Sequence, residues 1–309
     1  MPVHSSDDPI FREPGNYDEF GMLSENADEI GIPFDRSPQV RRVFVEVDPG
    51  RRLSAIVWGD SAPELVLLHG GAQNAHTWDT VALILKRPLV AIDLPGHGHS
   101  DGGRDGSRSL DDMAEDTAKA IAELAPDAAG VVGMSMGGLT SIVLADKHPE
   151  LMRSHVLVDV TPGVNAAKSR AVTDFINGPE TFASFDDILS RTIEHNPGRS
   201  AQSLRRGVLH NAVRTDDGTW VWRWARHRAP FGGETQVPDF AALWDALGRE
   251  TAPLMLVRGM RSAVVDDADE AELRRRRPDA RIEHVENAGH SIQGDAPREL
   301  AQLLTSFVS

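Results

Sequence analysis

Residues 130–150 read GVVGMSMGGLTSIVLADKHPE, an apolar run that changes into a helix-like pattern at a single hydroxyl. Ser135 stands between Gly133 and Gly137, and such small neighbours leave room for a sharp turn from a strand into a helix. The turn raises one side chain above the sheet, at a helix N-terminus that favours developing negative charge. The spacing predicts a nucleophilic serine, although a purely structural glycine-rich turn fits the same residues.

Short apolar runs and helical patterns alternate on both sides of this turn. The segments 40–47 and 53–59 alternate as two strands of a hairpin. Buried strands are predicted within the segments 64–71, 88–98, 130–135, 154–162, 253–259 and 281–286. Helical patterns separate most of them, and Ser109 is a predicted N-cap. This order predicts an α/β protein with a mostly parallel sheet covered by helices on both faces.

The alternation is interrupted once, which predicts the domain organisation. It stops near residue 162 and resumes near residue 251. We therefore predict a core domain from residues 41–162 and 251–309, with residues 163–250 as a helical cap or lid subdomain. Residues 1–40 have no clear period and are predicted to be an N-terminal surface extension that packs only in part.

Composition excludes several classes of partner. The formal net charge of -15 argues against nucleic acid and anionic membranes as partners. The N-terminus lacks the basic and apolar regions of a signal peptide, and no stretch approaches the ~18 apolar residues of a membrane span. We expect a cytoplasmic protein, and self-association into a homo-oligomer stays open.

Metal and cofactor sites are not expected. The chain has no cysteine, which excludes disulfides and thiolate ligands. The two histidines of PGHGHS (95–100) have no acidic residue at ligand spacing. We predict no metal site and no cofactor.

A serine nucleophile requires a base and an oxyanion hole. His290 lies in NAGHS, just after the last predicted strand and before the last helix. A catalytic histidine that acts as base for a serine at a strand–helix turn commonly occupies this position. The backbone N–H of Met136, directly after the serine, is one predicted oxyanion donor. The other is Gly71 of the loop HGG (69–71), where a glycine lets a carbonyl approach closely. These parts predict acyl transfer to Ser135, followed by hydrolysis.

Two levels of resemblance accompany these motifs. Over about residues 45–309 the chain resembles the α/β-hydrolase fold superfamily, on the segments VVGMSMGG, HGGAQNAHTW, AIDLPGHGHS and NAGHSIQGD. More narrowly it is similar to bacterial monoalkyl phthalate hydrolases, on HGGAQNAHTWDTV, LVDVTP, SLRRGVLHNAVR, TWVWRW and GHSIQGD. Those are serine esterases of half-esters such as mono(2-ethylhexyl) phthalate. The resemblance implies an eight-stranded, mostly parallel sheet, a helical cap insertion and a Ser–His–Asp triad.

The acid of that triad is where the sequence departs from the common pattern. The segment RGMRSAVVDDADE has Ser262 and Ala263 where most of the superfamily has the carboxylate. Asp159, at the end of an earlier predicted strand, is the favoured replacement. Asp266 or Asp267 is the alternative, although Asp266 also stands where a helix N-cap is expected. A partner not visible in the sequence, or none, stays open.

A half-ester brings one carboxylate and one apolar chain, and the predicted cap offers partners for both. Arg205, Arg206 and Arg214 are candidate carboxylate anchors, because guanidinium binds that group with two hydrogen bonds. Gly70 of the HGG loop, together with Trp220, Trp222 and Trp224, is a candidate for the substrate site. The alternative is that the arginines form a solvated helix face and the tryptophans form the core of the cap.

Other functions fit parts of this pattern. A carbon–carbon bond hydrolase of the meta-cleavage-product type uses the same triad, and a lactonase or broad carboxylesterase is a further option. A non-catalytic ligand-binding protein of the same fold is the alternative outside enzymes.

Overall fold

Strands and helices follow one another in the order that the sequence predicts. The computed structural model describes residues 17–35, 37–103, 109–224 and 240–308. Its strands are β1 Val40–Asp48, β2 Arg51–Trp58, β3 Leu65–Leu68, β4 Leu89–Ile92, β5 Gly130–Met134, β6 His155–Val158, β7 Thr181–Phe182, β8 Ala212–Arg214, β9 Trp220–Trp222, β10 Leu254–Gly259 and β11 Arg281–Val285. Its α-helices are α1 Leu23–Glu29, α2 Asp79–Leu85, α3 Leu110–Leu124, α4 Met136–Lys147, α5 Arg170–Ile176, α6 Phe185–His195, α7 Ala201–Asn211, α8 Leu243–Arg249, α9 Asp267–Arg276, α10 Ile292–Asp295 and α11 Pro297–Phe307.

Eight of these strands form one sheet, in the order β1-β2-β4-β3-β5-β6-β10-β11. β1 and β2 form the predicted antiparallel hairpin, and β2 is also antiparallel to β4. All other neighbours are parallel, which confirms the predicted mostly parallel sheet. Because the carboxyl ends of parallel strands lie at one edge, the segments after β3, β5, β6, β10 and β11 meet there.

The sheet is buried on both faces, as continuous apolar strands require. Every residue of β3, β4, β5 and β6 is buried. Leu65 and Leu67 pack with α2 and α11 on one face, whereas Val66 and Leu68 pack with α3 and α4 on the other. The predicted N-cap is confirmed, since Ser109 Oγ accepts a hydrogen bond from Asp112 N–H at the start of α3.

The described part of the N-terminal segment contacts the core. Leu23 and Ala27 of α1 are buried in the same core cluster as α2. Glu19 accepts a hydrogen bond from Arg42 Nε at 2.6 Å, and Asn26 donates to Thr80 Oγ1 at 2.9 Å. These residues belong to a part of the predicted extension that packs on the core through the buried face of α1, and the bounds of the extension stay a prediction. Residues 1–16 and 36 of the predicted extension lie outside the described residues.

Between β6 and β10 the chain forms a separate layer over the sheet edge. Helices α5, α6 and α7 accompany a three-stranded antiparallel sheet in the order β7-β9-β8, and these short strands were not among those predicted. Helix α8, inside the predicted cap range, packs with core residues through Trp244 and Leu247. Residues 225–239 of the predicted cap lie outside the described part of the chain, and the predicted domain boundaries stay predictions.

In the ranges that the structure describes, no helix combines the length and the apolar character needed to cross a bilayer.

Candidate active site

Ser135 occupies a strained turn between β5 and α4. Its φ of 51° and ψ of -119° lie in a region that non-glycine residues rarely adopt. A Cβ at Gly133 would lie 2.6 Å from the Gly137 carbonyl oxygen, and a Cβ at Gly137 would lie 2.6 Å from the Leu68 carbonyl oxygen. The two glycines are therefore steric requirements of the turn, and Ser135 itself stays partly exposed.

Three residues from separate loops form one hydrogen-bonded chain. His290 Nε2 lies 2.9 Å from Ser135 Oγ. His290 Nδ1 lies 2.8 Å from Asp159 Oδ2. Because a carboxylate only accepts, Nδ1 carries the proton and Nε2 is free to accept the serine proton. The arrangement has the geometry of a nucleophile, a general base and an orienting acid.

Asp159 is held at the end of β6 by three donors. It is fully buried, and its φ is 50°, a value that aspartate tolerates better than most residues. Oδ1 accepts from Gly259 N–H at 2.9 Å, and Oδ2 accepts from Ser262 Oγ at 2.5 Å as well as from His290. Ser262, which stands where the acid is usually found, thus donates to the acid from the loop after the neighbouring strand β10. Sequence reasoning did not identify this supporting role.

The alternative acids have other partners. Asp266 is the N-cap of α9, accepts from Asp269 N–H at 3.0 Å and pairs with Lys168 at 2.9 Å. Asp267 pairs with Arg258 at 2.7 Å. Neither forms a hydrogen bond with His290, so the geometry favours Asp159.

Two backbone N–H groups are available beside the serine. Among the described residues, no hydrogen-bond acceptor lies on the N–H of Gly71 or of Met136. A Cβ at Gly71 would lie 3.9 Å from Met136 Sδ, so the Met136 side chain packs next to Gly71. The N–H of Gly70 is not available, since it donates to Gln73 Oε1 at 3.1 Å. Gly70 lies against Ser135, since a Cβ added at Gly70 would lie 3.2 Å from the Cβ of Ser135.

A cavity of about 410 Å³ opens above Ser135 and His290. Its wall has an apolar part made by the cap, which includes Ala171, Val172, Phe175, Ile176, Leu204, Val208 and Trp222. Polar side chains from the loops after β3 and β11 and from helices α1, α2, α6 and α7 lie on other parts of the wall. The cavity has the size and mixed lining of a small-molecule site.

The predicted arginine anchors are placed differently from expectation. Arg206 borders the cavity but is 3% exposed and pairs with Glu29 of α1, so its charge is already compensated. Arg205 is not among the lining residues, because it lies on the opposite face of α7. Arg214 is exposed on β8, and its Nε donates to the Gly218 carbonyl. The structure therefore does not bring Arg205 to the cavity, and its predicted contact with substrate stays untested.

The tryptophans mainly form the core of the cap. Trp222 borders the cavity and packs edge-on against Phe175, with ring centroids 5.7 Å apart. Trp220 packs on Phe185, with ring centroids 5.3 Å apart, and is not among the lining residues, so the structure does not bring it to the predicted substrate site. Trp224 stacks on Trp222 at 6.4 Å.

A second serine–histidine–carboxylate chain lies inside the molecule. Ser141 Oγ is 2.7 Å from His155 Nε2, and His155 Nδ1 is 3.0 Å from Glu250 Oε2. Ser141 and His155 are fully buried, and Ser141 Oγ donates to the Gly138 carbonyl at 2.8 Å. This hydroxyl is committed to backbone and out of reach of solvent, so hydrogen-bond geometry alone does not identify a nucleophile.

The described residues include one group of three side chains close enough to share a metal ion, namely His76, Asp79 and His210. The two imidazoles stack with centroids 3.7 Å apart and planes inclined by 12°. Nitrogen lone pairs lie in the ring plane, so those of stacked rings run parallel rather than converging on one ion. His76 Nδ1 is also 2.8 Å from Asp79 Oδ2. We interpret the group as a hydrogen-bonded cluster.

The two histidines of this cluster differ in protonation. His76 contacts Glu19 of the N-terminal segment, and both rings border the cavity. Burial alone would lower the pKa of His76, but Asp79 and Glu19 raise it to about 9. Burial lowers the pKa of His210 well below its ordinary value, and the neighbouring charge of His76 acts in the same direction. His76 is therefore the cationic ring of the stack and His210 the neutral one.

His76 should make stability depend on pH in the alkaline range. A pKa raised from 6.5 to about 9 stabilises the folded state fully below pH 6.5, and this contribution is lost as the pH rises through 9. From pH 7.5 to pH 10 we expect a loss of about 2 kcal/mol of unfolding free energy. Urea unfolding of the wild type and of His76→Gln at both pH values measures it. Equal pH dependence in the two proteins would contradict the assignment.

Comparison with known proteins places the chain among hydrolases. The sequence profile of the Alpha/beta hydrolase family matches residues 65–303. Esterase Rv0045c of Mycobacterium tuberculosis is 46% identical over 294 residues, which cover 93% of this chain and 94% of the relative. A crystal structure of that esterase superposes with a TM-score of 0.82 at 44% identity, covering 95% of this chain and 99% of the other.

A more distant relative is named for the hydrolysis of a different substrate. The 2-(acetamidomethylene)succinate hydrolase of Mesorhizobium japonicum is 27% identical over 270 residues, or 85% of this chain and 94% of the relative. The predicted fold is confirmed by these matches, whereas the roles of Ser135, His290, Asp159, Gly71 and Met136 stay predictions.

Proposed function

The chain belongs to the alpha/beta hydrolase family and is a hydrolase, and from this premise we propose that it hydrolyses carboxylic esters with Ser135 as nucleophile. The observation that carries the proposal is the position of His290, 2.9 Å from Ser135 Oγ and 2.8 Å from Asp159. The 46% identity to an esterase supports the same type of reaction.

The reaction follows from what each group is able to donate or accept. Ser135 Oγ attacks the ester carbonyl carbon while its proton passes to His290 Nε2. The N–H groups of Gly71 and Met136 bind the resulting oxyanion. His290 then returns the proton to the leaving alcohol, and water activated by His290 releases the acid from the acyl-enzyme. Asp159 orients the imidazole and stabilises its charged form.

The substrate we propose is a half-ester, such as a monoalkyl phthalate, with one carboxylate and one apolar chain. The apolar cap wall around Phe175, Ile176 and Trp222 suits an alkyl group. Basic side chains on the remaining wall suit a carboxylate. The resemblance of the catalytic and cap segments to monoalkyl phthalate hydrolases supports this class.

The proposal predicts a preference for the monoester. With monobutyl phthalate, dibutyl phthalate and p-nitrophenyl butyrate as substrates, we expect kcat/KM for the monoester to exceed that of the diester by about tenfold or more, since one charge-assisted contact is lost in the diester. Steady-state kinetics measures it. Equal turnover of monoester and diester would remove the half-ester class, and no turnover of any ester would remove ester hydrolysis.

A further inference from the structure

Basic side chains on the cavity wall differ in whether their charge is compensated. The set consists of His76, His195, Arg199, Arg206, His210 and His290. His290 is bonded to Asp159 and His76 to Asp79, while Arg206 pairs with Glu29. His210 is held neutral by burial, which lowers its pKa. His195 is exposed, and its Nδ1 bonds to the Arg191 carbonyl.

Arg199 is the guanidinium of this set whose positive charge has no such pairing among the described residues. In the part of the chain that the structure describes, no carboxylate oxygen lies within 4.0 Å of its guanidinium. Its Nη2 donates to Ser203 Oγ at 2.6 Å, which fixes the side chain without neutralising it. The one carboxylate on the described cavity wall, Asp295, accepts from Gly289 N–H at 2.9 Å.

The guanidinium is close to the catalytic loop. A Cβ at Gly294 would lie 2.8 Å from Arg199 Cζ, so the planar group rests against this glycine. Gly294 N–H donates to the carbonyl of Ser291, the residue directly after His290. Arg199 therefore borders the same cavity as Ser135 and His290, on the side of the imidazole.

Arg199 does not stabilise the helix that it precedes, α7. Arg199 directly precedes Ser200, the N-cap of α7, and the positive end of a helix dipole disfavours a cation there. Burial lowers the pKa of Arg199, only partly offset by the more distant Asp295 and Glu29. Among the described residues, this positive charge therefore has no anionic partner, and a bound anion would stabilise it.

We infer that Arg199 binds the carboxylate of the substrate and sets the preference for half-esters over neutral esters. The inference rests on the proposed ester hydrolysis and deepens it, by replacing the arginines that the sequence suggested with one that the cavity exposes. Guanidinium and carboxylate meet in a bidentate pair, while the alkyl chain packs against Phe175, Ile176 and Trp222.

The test uses two esters that differ only in the carboxylate, monobutyl phthalate and butyl benzoate. In Arg199→Gln we expect KM for monobutyl phthalate to rise roughly 10- to 100-fold with kcat little changed, because a charge-assisted hydrogen-bonded pair is lost. Turnover of butyl benzoate should stay at the wild-type level, which also shows that the variant is folded. Arg199→Lys should restore part of the affinity, since charge is kept and the second hydrogen bond is lost.

Arg205→Gln is the matched control, because it removes a guanidinium from the same segment on the face away from the cavity. It should change neither substrate. If Arg199→Gln changes both esters equally, or neither, the inference is wrong while ester hydrolysis stands.

A binding measurement separates this inference from the proposed function. Calorimetric titration of Ser135→Ala with monobutyl phthalate needs no turnover, and adding Arg199→Gln should weaken binding roughly 10- to 100-fold. Equal binding by the two proteins would overturn the inference. Weakened binding in a protein that hydrolyses no ester would support the carboxylate site and overturn the proposed reaction.

Discussion

Ser135→Ala is expected to lower kcat for p-nitrophenyl butyrate by roughly a million-fold, because both covalent steps pass through the removed oxygen. The positive φ at this position is already accommodated by Gly133 and Gly137, and alanine introduces no new atom. Thermal unfolding should therefore be nearly unchanged. Burst and steady-state kinetics measure the loss, and substantial residual turnover would rule out a serine acyl-enzyme.

Ser141→Ala is the control for this prediction. It removes a hydroxyl that also lies within hydrogen-bond distance of a histidine, in the chain Ser141–His155–Glu250. Since no substrate reaches this buried group, we expect kcat to change little and unfolding free energy to fall by about 1 kcal/mol. Loss of activity in Ser141→Ala with a folded protein would mean that the active serine is misassigned.

Asp159→Asn is expected to lower kcat by about 10⁴-fold, because an amide is unable to hold the imidazole in the tautomer that accepts the serine proton. Asparagine tolerates the φ of 50° at this position, and its carbonyl oxygen is able to accept from Gly259 N–H. The defect should therefore appear in catalysis rather than in folding. Steady-state kinetics, with circular dichroism to verify the fold, measures it.

Asp266→Asn tests the alternative acid. Asparagine is itself a good N-cap, so α9 should persist and activity should stay near the wild-type level. Near-normal activity of Asp159→Asn together with a large loss in Asp266→Asn would show that the triad acid is on α9 rather than on β6.

Patterns within a few residues were enough to predict several features. The turn at Ser135 depends on the sterics of Gly133 and Gly137, which neighbour it in the chain, and the hairpin of β1 and β2 depends on local alternation. His290 was predicted from its place after the last strand. For this reason the sequence predicts the sheet and the chain positions of the serine and the histidine.

Local sequence patterns did not predict which arginines are paired with a carboxylate or which border the cavity. Arg205 and Arg206 are adjacent, yet one faces away from the cavity and the other is paired with Glu29, 177 residues earlier in the chain. Arg199 follows a Pro–Gly pair in an irregular stretch, where no pattern distinguished it. That its charge has no anionic partner within the described residues is visible only once the partners of the neighbouring cations are known.

By itself the sequence determined an α/β sheet with a serine at the turn after one strand and a histidine after the last, because sterics and hydrophobic period act between near neighbours. Only the tertiary structure decided that Asp159 rather than Asp266 contacts His290, with Ser262 as its donor. It also decided which arginine borders the cavity without a carboxylate partner among the described residues. These contacts depend on the distances between segments that are far apart in the chain, and only the folded structure sets those distances.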